Sequence, residues 1–372
     1  MGQRTAKTIL IALVLGLTVA FAGGCGGQDD AGSGQAPQEN GGASSSGGLT
    51  GPASEADIRR IHNGYGTIFV SGKRIEHPAD TSTSKVVDWR REPAARAEKG
   101  LKVRVSDGIV YSVSRYTDGR NEGEPLNLHM ILKQNSEWRG EEPVVLFVPG
   151  GGFLSCRIEH KYENVHRYLI QRGFAVAVME YHVVGQGRYM DAARDVRDAI
   201  NWLKENGGQY GLKTDKIFLI GNSGGGYLAA LAACEDPSDI ACVVNFYGLC
   251  DIINTKADYD DAAVAAQHQP NSSDSQFVNG VYSGKSLTDD PEEAEKADPI
   301  HYVDGDEPPF LHFHGDQDLW VSPSQTLHLH NALLAADEPS TRYVVKGEGH
   351  GSAGFRTEKA LDIAVRFMEQ YR

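Results

Sequence analysis

The sequence predicts an α/β fold in which helices cover both faces of a mostly parallel central sheet. Three observations support this prediction. Short, continuous apolar runs, such as 142–148 and 174–179, are typical of strands that are buried on both faces. Stretches with helical periodicity, such as 190–206, separate these runs. Ser223, flanked by glycines, lies between one such run and a stretch of small residues that suits a helix.

The individual elements follow from the same patterns, taken in chain order. Strands are predicted where apolar and β-branched residues alternate or run together, at 101–106, 108–114, 125–133, 142–148, 174–179, 216–221, 240–247, 309–313 and 342–346. Helices are predicted at 160–172, 190–206, 225–234, 324–336 and 357–371. Such an alternation of strands and helices indicates a parallel sheet that is covered on both faces.

Three segments do not follow this alternation. Residues 25–55 are rich in Gly and Ser, cannot bury enough apolar surface to fold, and are predicted to form a flexible tether. Residues 56–100 are poorly patterned, and we expect them to wrap the domain as an N-terminal extension. Residues 251–299 are acidic and weakly patterned, so they form either a cap or lid above the sheet or a plain long loop. The main α/β domain therefore covers residues 101–372, with an insertion at 251–299.

The start of the chain is predicted to direct export. Arg4 and Lys7 precede an apolar run over 9–22, which is too short to span a membrane but suits the core of a signal peptide. Small residues lead into Cys25 and resemble the bacterial lipobox, in which the cysteine is lipidated. An ordinary cleaved signal is the alternative. We therefore expect a lipoprotein-type signal peptide over 1–24 and a protein anchored to a membrane of the cell envelope, or otherwise secreted.

The charge balance restricts the possible partners. The chain has 36 Lys and Arg against 50 Asp and Glu, a net charge of −14. No basic stripe remains to neutralise phosphates, which argues against nucleic acid as a partner. Anionic headgroups would repel such a surface, so attachment to a membrane would depend on the lipid at Cys25.

Five cysteines are present, and four remain when Cys25 is set aside: Cys156, Cys234, Cys242 and Cys250. Cys234 and Cys242 flank a short loop and could form a disulfide in an exported protein. Alternatively, all four are buried free thiols. Because the sequence contains no Cys-x-x-Cys pair, a structural zinc site is not expected.

A candidate nucleophile follows the predicted strand 216–221. Gly221, Ser223 and Gly225 fit the pattern G-x-S-x-G, which occurs once in the chain. A sharp strand-to-helix turn would strain the serine backbone, lift Oγ above the sheet and require glycine where neighbouring backbone passes. The N-terminus of the following helix would favour developing negative charge. A serine that merely caps a Gly-rich helix is the alternative.

A serine hydroxyl needs a base, and His350 is the preferred candidate among thirteen histidines. It lies in a Gly-rich loop straight after the predicted strand 342–346. The competing histidines lie within a buried strand or on a helix, where packing roles are more common: His312, His314, His328 and His330.

The base needs an acid that fixes its tautomer. Asp316 and Asp318 both follow the predicted strand 309–313 and are both possible. Either one places the three groups in the chain order serine, aspartate, histidine. Gly150, Gly151 and Gly152 follow a buried strand, where glycine allows backbone N–H groups to approach a developing oxyanion.

Residues from about 100 to the C-terminus resemble the α/β-hydrolase fold. Within it, they are similar to the bacterial esterase/lipase group related to hormone-sensitive lipase and feruloyl-esterase-type carboxylesterases. The segments that carry the resemblance are 150–152, 195–203, 210–211, 215–217, 245–248, 298–303, 308–311 and 314–321. In that group the catalytic acid stands three residues before a valine, which implies Asp318. The resemblance also implies that the N–H groups of Gly151, Gly152 and Gly224 bind the oxyanion.

The chain departs from this group at several positions. Pro149 replaces the histidine that leads the oxyanion loop, and Asn222 and Gly224 stand where Asp and Ala are usual. Residues 182–185 replace the group's Arg-Leu-Ala-Pro run, so substrate preferences of well-matched lipases do not carry over.

These observations predict an exported serine hydrolase that cleaves carboxylic esters through a Ser-His-Asp triad and an acyl-enzyme. The expected substrate is a small-molecule or carbohydrate-linked ester, and neither a metal nor an organic cofactor is required. An amidase or exopeptidase that uses the same triad is one alternative. A catalytically silent binding lipoprotein on a hydrolase scaffold is another.

Overall fold

The central sheet has nine strands in the order β3-β11-β10-β9-β8-β6-β7-β5-β4. Its strands are β3 (Lys85–Val87), β4 (Val103–Val113), β5 (Pro125–Lys133), β6 (Glu142–Val148), β7 (Ala175–Met179), β8 (Leu212–Asn222), β9 (Ile240–Phe246), β10 (Phe310–Gly315) and β11 (Ser340–Val345). The β4–β5 and β5–β7 pairs are antiparallel, and all other pairs are parallel. This confirms the predicted mostly parallel sheet.

The structure is a computed structural model that describes residues 58–60, 64–113, 124–134, 141–156 and 162–372. The predicted signal peptide, Cys25 and the whole of the predicted tether lie outside the described residues. In the part of the chain that is described, no helix is long and apolar enough to cross a membrane.

Helices cover both faces of the sheet, as expected. They are α1 (Glu163–Gln171), α2 (Tyr189–Asn206), α3 (Gly224–Glu235), α4 (Asp261–Gln267), α5 (Ser273–Asn279), α6 (Pro291–Lys296), α7 (Ser324–Ala335) and α8 (Glu358–Glu369). Alternate residues of β6 point to opposite faces: Val144 and Leu146 pack in the core with α2, α3 and α7, whereas Val145 and Phe147 pack in the core with α1 and α8. Burial on both faces is why this strand is continuously apolar.

One pair of predicted strands is a single strand in the structure. Residues 101–106 and 108–114 were expected to be separate, but β4 runs through both. Its register against β5 shifts between Ser106 and Ile109, and Gly108 has a φ of 66°. This shift in register is a β-bulge. The strand bends at Gly108 but does not end there.

The insertion at 251–299 is helical and packed, which differs from a plain long loop. It contains α4, α5 and α6, and Phe277 and Val278 of α5 belong to the core formed with α2 and α3. Asp260 and Ser272 cap α4 and α5 through their side-chain oxygens. These helices were not predicted from the sequence, because each has only six or seven residues and shows little apolar pattern.

The N-terminal extension does more than wrap the domain. Strands β1 (Ile58–Arg60) and β2 (Ile68–Val70) form a small antiparallel pair. Further along, β3 joins the edge of the central sheet parallel to β11. The extension therefore contributes a strand to the sheet, although three-residue strands carry too little pattern to be recognised in the sequence.

All four cysteines in the described residues are free thiols, so Cys234 and Cys242 form no disulfide. The reason is their placement on opposite sides of the sheet. Cys234 belongs to the core on the α3 side, whereas Cys242 belongs to the core on the α1 side. Burial raises the pKa of both thiols, which keeps them protonated. The alternative of free thiols is the one observed, with Cys234, Cys242 and Cys250 buried and Cys156 half-buried.

Candidate active site

Ser223 lies in the sharp turn between β8 and α3. Its backbone has φ 53° and ψ −127°, a conformation that costs a non-glycine residue about 1–3 kcal/mol. A Cβ at Gly221 would lie 2.2 Å from the carbonyl oxygen of Gly225, and a Cβ at Gly225 would lie 2.0 Å from that of Val148. Both glycines of the motif are therefore required by the close approach of neighbouring backbone.

The structure brings Ser223, His350 and Asp318 into one hydrogen-bonded chain above the carboxyl ends of the strands. His350 Nε2 lies 2.8 Å from Ser223 Oγ, and His350 Nδ1 lies 2.7 Å from Asp318 Oδ2. A hydroxyl on one imidazole nitrogen and a carboxylate on the other is the arrangement in which the imidazole can accept the hydroxyl proton.

Asp318 is fully buried, and four donors meet its charge. The backbone N–H groups of Trp320 and Val321 donate to Oδ1 at 2.9 and 3.0 Å. His350 and His314 both face Oδ2, with His314 Nε2 at 3.2 Å. Burial alone would raise the pKa of the carboxyl, but the charge of His350 and the hydrogen bonds from both histidines hold the pKa of Asp318 well below its usual range. Asp318 is therefore ionised at neutral pH.

Asp316, the other candidate acid, has a different place. Its Oδ1 accepts a hydrogen bond of 2.7 Å from the backbone N–H of Gly347, and its own N–H donates to the carbonyl oxygen of Val345 at 3.2 Å. Asp316 thus fastens the loop that carries His350, while Asp318 pairs with the imidazole itself.

The loop after β6 lies directly against the serine turn. A Cβ at Gly150 would come within 2.9 Å of Ser223 Cβ, and one at Gly151 would lie 1.8 Å from the carbonyl oxygen of Ser155. Gly151 and Gly152 have φ of 156° and 60°, which favour glycine. Among the described residues, no backbone–backbone hydrogen bond of a turn or loop is donated by the N–H groups of Gly151, Gly152 or Gly224.

Asn222 has a side-chain role that the sequence reasoning missed. Its Oδ1 accepts a 3.2 Å hydrogen bond from the N–H of Gly150, and its Nδ2 donates to the hydroxyl of Tyr162 at 2.9 Å. The Tyr162 and Tyr247 hydroxyls are 2.9 Å apart, and the Tyr247 ring meets the His350 ring edge-on at 4.9 Å. The amide therefore links the glycine loop to the aromatic side chains beside His350. Its position next to Ser223 in the sequence was the feature that could have indicated this role.

Phe69 of the N-terminal extension is a second residue that sequence reasoning missed. Its ring lies where a Cβ on Gly152 would point, 2.4 Å from that position. It also meets Trp320 edge-on at 5.3 Å, and Trp320 stacks on His350 at 5.5 Å. Phe69 and Trp320 thus form an aromatic wall from the glycine loop to His350. An isolated aromatic residue in a poorly patterned segment gives no signal of this placement.

The insertion is anchored beside the same glycine loop. Phe277 of α5 stacks on Phe153 with ring centroids 4.2 Å apart, and both contact Tyr227 of α3. Phe153 directly follows the glycines and has a φ of 65°. Packing of α5 therefore fixes the conformation of the loop that approaches Ser223.

The competing histidines are mostly held in packing or hydrogen-bonding roles. His328 Nδ1 lies 3.3 Å from Asp251 Oδ2, and His330 Nδ1 lies 2.7 Å from Ser340 Oγ. His312 is fully buried without a hydrogen-bond partner among the described residues, and burial keeps its pKa well below the usual value. Within the described ranges, no group of three or more His, Cys, Asp or Glu residues could hold a metal ion.

Comparison with known proteins agrees with this architecture. The family model described as BD-FAE matches residues 129–333. Esterase LipC of Mycobacterium tuberculosis is 28% identical over 265 residues, which are 66% of this chain and 63% of LipC. Esterase LipQ of the same organism is 27% identical over 221 residues, 56% of this chain and 49% of LipQ. The matched part of the chain thus spans about half to two thirds of these curated relatives.

Solved structures of esterases share the fold. A truncated form of a carbohydrate esterase from gut microbiota has a TM-score of 0.61 at 20% identity and covers 74% of this chain and 99% of that chain. An inhibited esterase B from Lactobacillus rhamnosis has a TM-score of 0.57 at 18% identity and covers 74% of this chain and 88% of that chain. At these identities the similarity establishes the α/β-hydrolase fold, as the sequence predicted.

Proposed function

Because this chain belongs to the BD-FAE family of α/β hydrolases, we propose that it is an exported serine hydrolase that cleaves carboxylic esters. The observation that carries the proposal is the hydrogen-bonded chain from Ser223 through His350 to the buried, ionised Asp318. The relatives named as esterases support the reaction class. A small-molecule or carbohydrate-linked ester is the substrate class we propose, since one structural neighbour is a carbohydrate esterase.

The reaction follows from the position of each group. Ser223 Oγ attacks the ester carbonyl while His350 Nε2 takes its proton. Negative charge develops on the carbonyl oxygen, where the N–H groups of Gly151, Gly152 and Gly224 would stabilise it. The imidazolium then protonates the departing alcohol, and Asp318 holds its Nδ1–H throughout. Water that is deprotonated by His350 finally attacks the acyl-enzyme and releases the acid.

The proposal is tested by the turnover of p-nitrophenyl esters from acetate to decanoate by the purified protein. Hydrolysis that follows saturation kinetics, together with labelling of Ser223 by a fluorophosphonate, supports a serine esterase. Labelling without ester turnover would favour the amidase alternative. Absence of both, with a circular dichroism spectrum of a folded α/β protein, would contradict the proposal and favour a silent binding protein.

The aromatic wall leads to a prediction about substrate size. Replacing Phe69 with alanine opens space beside the glycine loop, so kcat/KM for the longest acyl chains should rise about tenfold relative to acetate. Phe69→Leu retains most of the side-chain volume and serves as the matched control. Its ratio of kcat/KM for long acyl chains to kcat/KM for acetate should be intermediate. The measurement is the same ester series. An equal loss of activity on all esters would show that Phe69 supports the site without selecting substrates.

The location of the protein is a separate proposal that rests on the sequence of residues 1–25. We expect Cys25→Ala to release the protein from membranes, because no lipid could then be attached and the acidic surface supplies no other attraction. The measurement is the partition of the protein between membrane and soluble fractions of the producing cells. Substitution of the half-buried Cys156 is the control, and unchanged membrane association of Cys25→Ala would refute the anchor.

A further inference from the structure

We propose that His314 is a positioning residue for the catalytic acid: a buried chain of hydrogen bonds that begins at Arg342 orients its ring so that Nε2 faces the carboxylate of Asp318. This inference rests on the proposed function, because it assigns a residue that acts on the triad without touching substrate. In the sequence, His314 looked like an ordinary strand-end histidine. Its contacts in the structure determine which ring nitrogen carries the proton. A histidine that only fills space in the core does not need such a constraint.

The contacts determine which nitrogen of His314 carries the proton. Arg342 Nε donates to Thr326 Oγ1 at 3.0 Å, so the Thr326 hydroxyl proton is available for His314 Nδ1, 3.0 Å away. With Nδ1 acting as an acceptor, the proton of the neutral ring is on Nε2. His314 Nε2 is 3.2 Å both from Asp318 Oδ2 and from the carbonyl oxygen of Val321. The hydrogen bond from Nε2 goes to the carbonyl oxygen of Val321, and the carboxylate of Asp318 lies at the same distance from this N–H group.

The chain is anchored where solvent has no access. His314, Thr326 and Asp318 have 0% exposure, and Arg342 has 1%. Two further bonds fix the guanidinium, one of 2.6 Å to the carbonyl oxygen of Pro323 and one to a neighbouring serine. Both oxygens that face His314 Nε2 are acceptors, and the Thr326 hydroxyl already accepts from Arg342, so the polarity of the chain cannot easily reverse.

Other charged groups around Asp318 come from different elements. His350 approaches from the loop after β11, and the buried Lys256 of the insertion lies close enough to interact with Asp318 and Asp274. Of these groups, His314 and His350 face the same oxygen, Oδ2. His314 therefore takes a share of the negative charge that would otherwise act on His350 alone.

The first test compares His314→Leu with His314→Gln in the full chain. Leucine removes the donor, so the carboxylate loses one of its four partners. We expect kcat for p-nitrophenyl acetate to fall about 10- to 100-fold with KM little changed, as for the loss of one hydrogen bond to a charged group. The charge on Oδ2 then acts on His350 alone and favours its imidazolium form. The acid limb of the kcat/KM profile should therefore also move to higher pH. The Gln amide can donate near the Nε2 position and should restore most of kcat.

A second pair of variants leaves His314 in place. Thr326→Val removes the hydroxyl that donates to Nδ1, so the imidazole can adopt the other tautomer and present a lone pair to Asp318. We expect a loss of kcat and a shift of the acid limb, whereas Thr326→Ser keeps the hydroxyl and should resemble the wild type. Fluorophosphonate titration gives the fraction of intact sites and separates these effects from misfolding.

A readout without substrate separates this inference from the proposed function. The proton between His350 Nδ1 and Asp318 is expected as a far-downfield resonance in the ¹H NMR spectrum. It should move or vanish in His314→Leu and Thr326→Val and persist in His314→Gln, whether or not the wild type hydrolyses esters. An unchanged resonance and pH profile in His314→Leu, with any loss of kcat matched by a loss of titratable sites, would overturn the positioning role.

Discussion

Replacing Ser223 with alanine is expected to lower kcat for ester hydrolysis by about 10⁶-fold while the protein stays folded. The substitution removes the atom that lies 2.8 Å from His350 Nε2, and no acyl-enzyme can then form. The activity that remains would come from substrate binding and the oxyanion donors. The measurement is the initial rate with p-nitrophenyl acetate, taken at an enzyme concentration high enough to detect a loss of this size.

Two controls make the result specific. Ser82→Ala removes the same atom from an exposed position where the hydroxyl donates to Asp80, and it should leave activity unchanged. The thermal unfolding temperature of Ser223→Ala should not fall, since alanine keeps the Cβ that the turn already accommodates. Retention of more than a small part of the activity would remove Ser223 from the role of nucleophile.

The second large effect is expected at the acid. Asp318→Asn should lower kcat by about 10⁴-fold, the size of effect seen when a triad carboxylate becomes an amide. The N–H groups of Trp320 and Val321 hold one oxygen, so the amide oxygen should remain there and the NH₂ group should face His350. The NH₂ group donates to Nδ1, which places the ring proton on Nε2. His350 then cannot accept the Ser223 proton.

Asp316→Asn is the matched comparison for this prediction. Its amide oxygen can still accept the hydrogen bond from the N–H of Gly347, so kcat should change little. Both variants are compared by kcat and by pH profile, with thermal unfolding as a check on folding. A severe loss at Asp316 and a mild one at Asp318 would reassign the acid and contradict the geometry-based proposal.

The elements that the sequence predicted well are those whose local pattern and tertiary surroundings agree. The apolar run of β6 is bounded at Glu142–Val148, the same residues as predicted, because both faces of that strand are covered. Strand β8 is longer than predicted, since its polar first half, from Leu212, lies outside the most apolar part. The short helices of the insertion escaped recognition because two turns do not establish a periodicity.

The residues of the candidate site also divide into those that a local sequence pattern reveals and those that it does not. Ser223, His350 and the two aspartates are recognisable because each stands at the end of an apolar strand in a Gly-rich or acidic turn. The choice between Asp316 and Asp318 required a resemblance, since both follow β10 within three residues. The Cys234–Cys242 alternatives were open for a similar reason, because spacing along the chain does not reveal which face of the sheet a side chain meets.

The sequence by itself determined the α/β fold, the strand-to-helix serine turn and the identity of a candidate nucleophile and base. These depend on periodicity and on glycines that sit next to the residue they serve, which are local properties. Only the tertiary structure decided that Asp318 faces His350, that His314 Nε2 lies 3.2 Å from Asp318 Oδ2, and that Phe69 reaches the glycine loop. Those contacts join residues far apart in the chain, and they form because packing of the sheet brings the strand ends and the N-terminal extension to one edge.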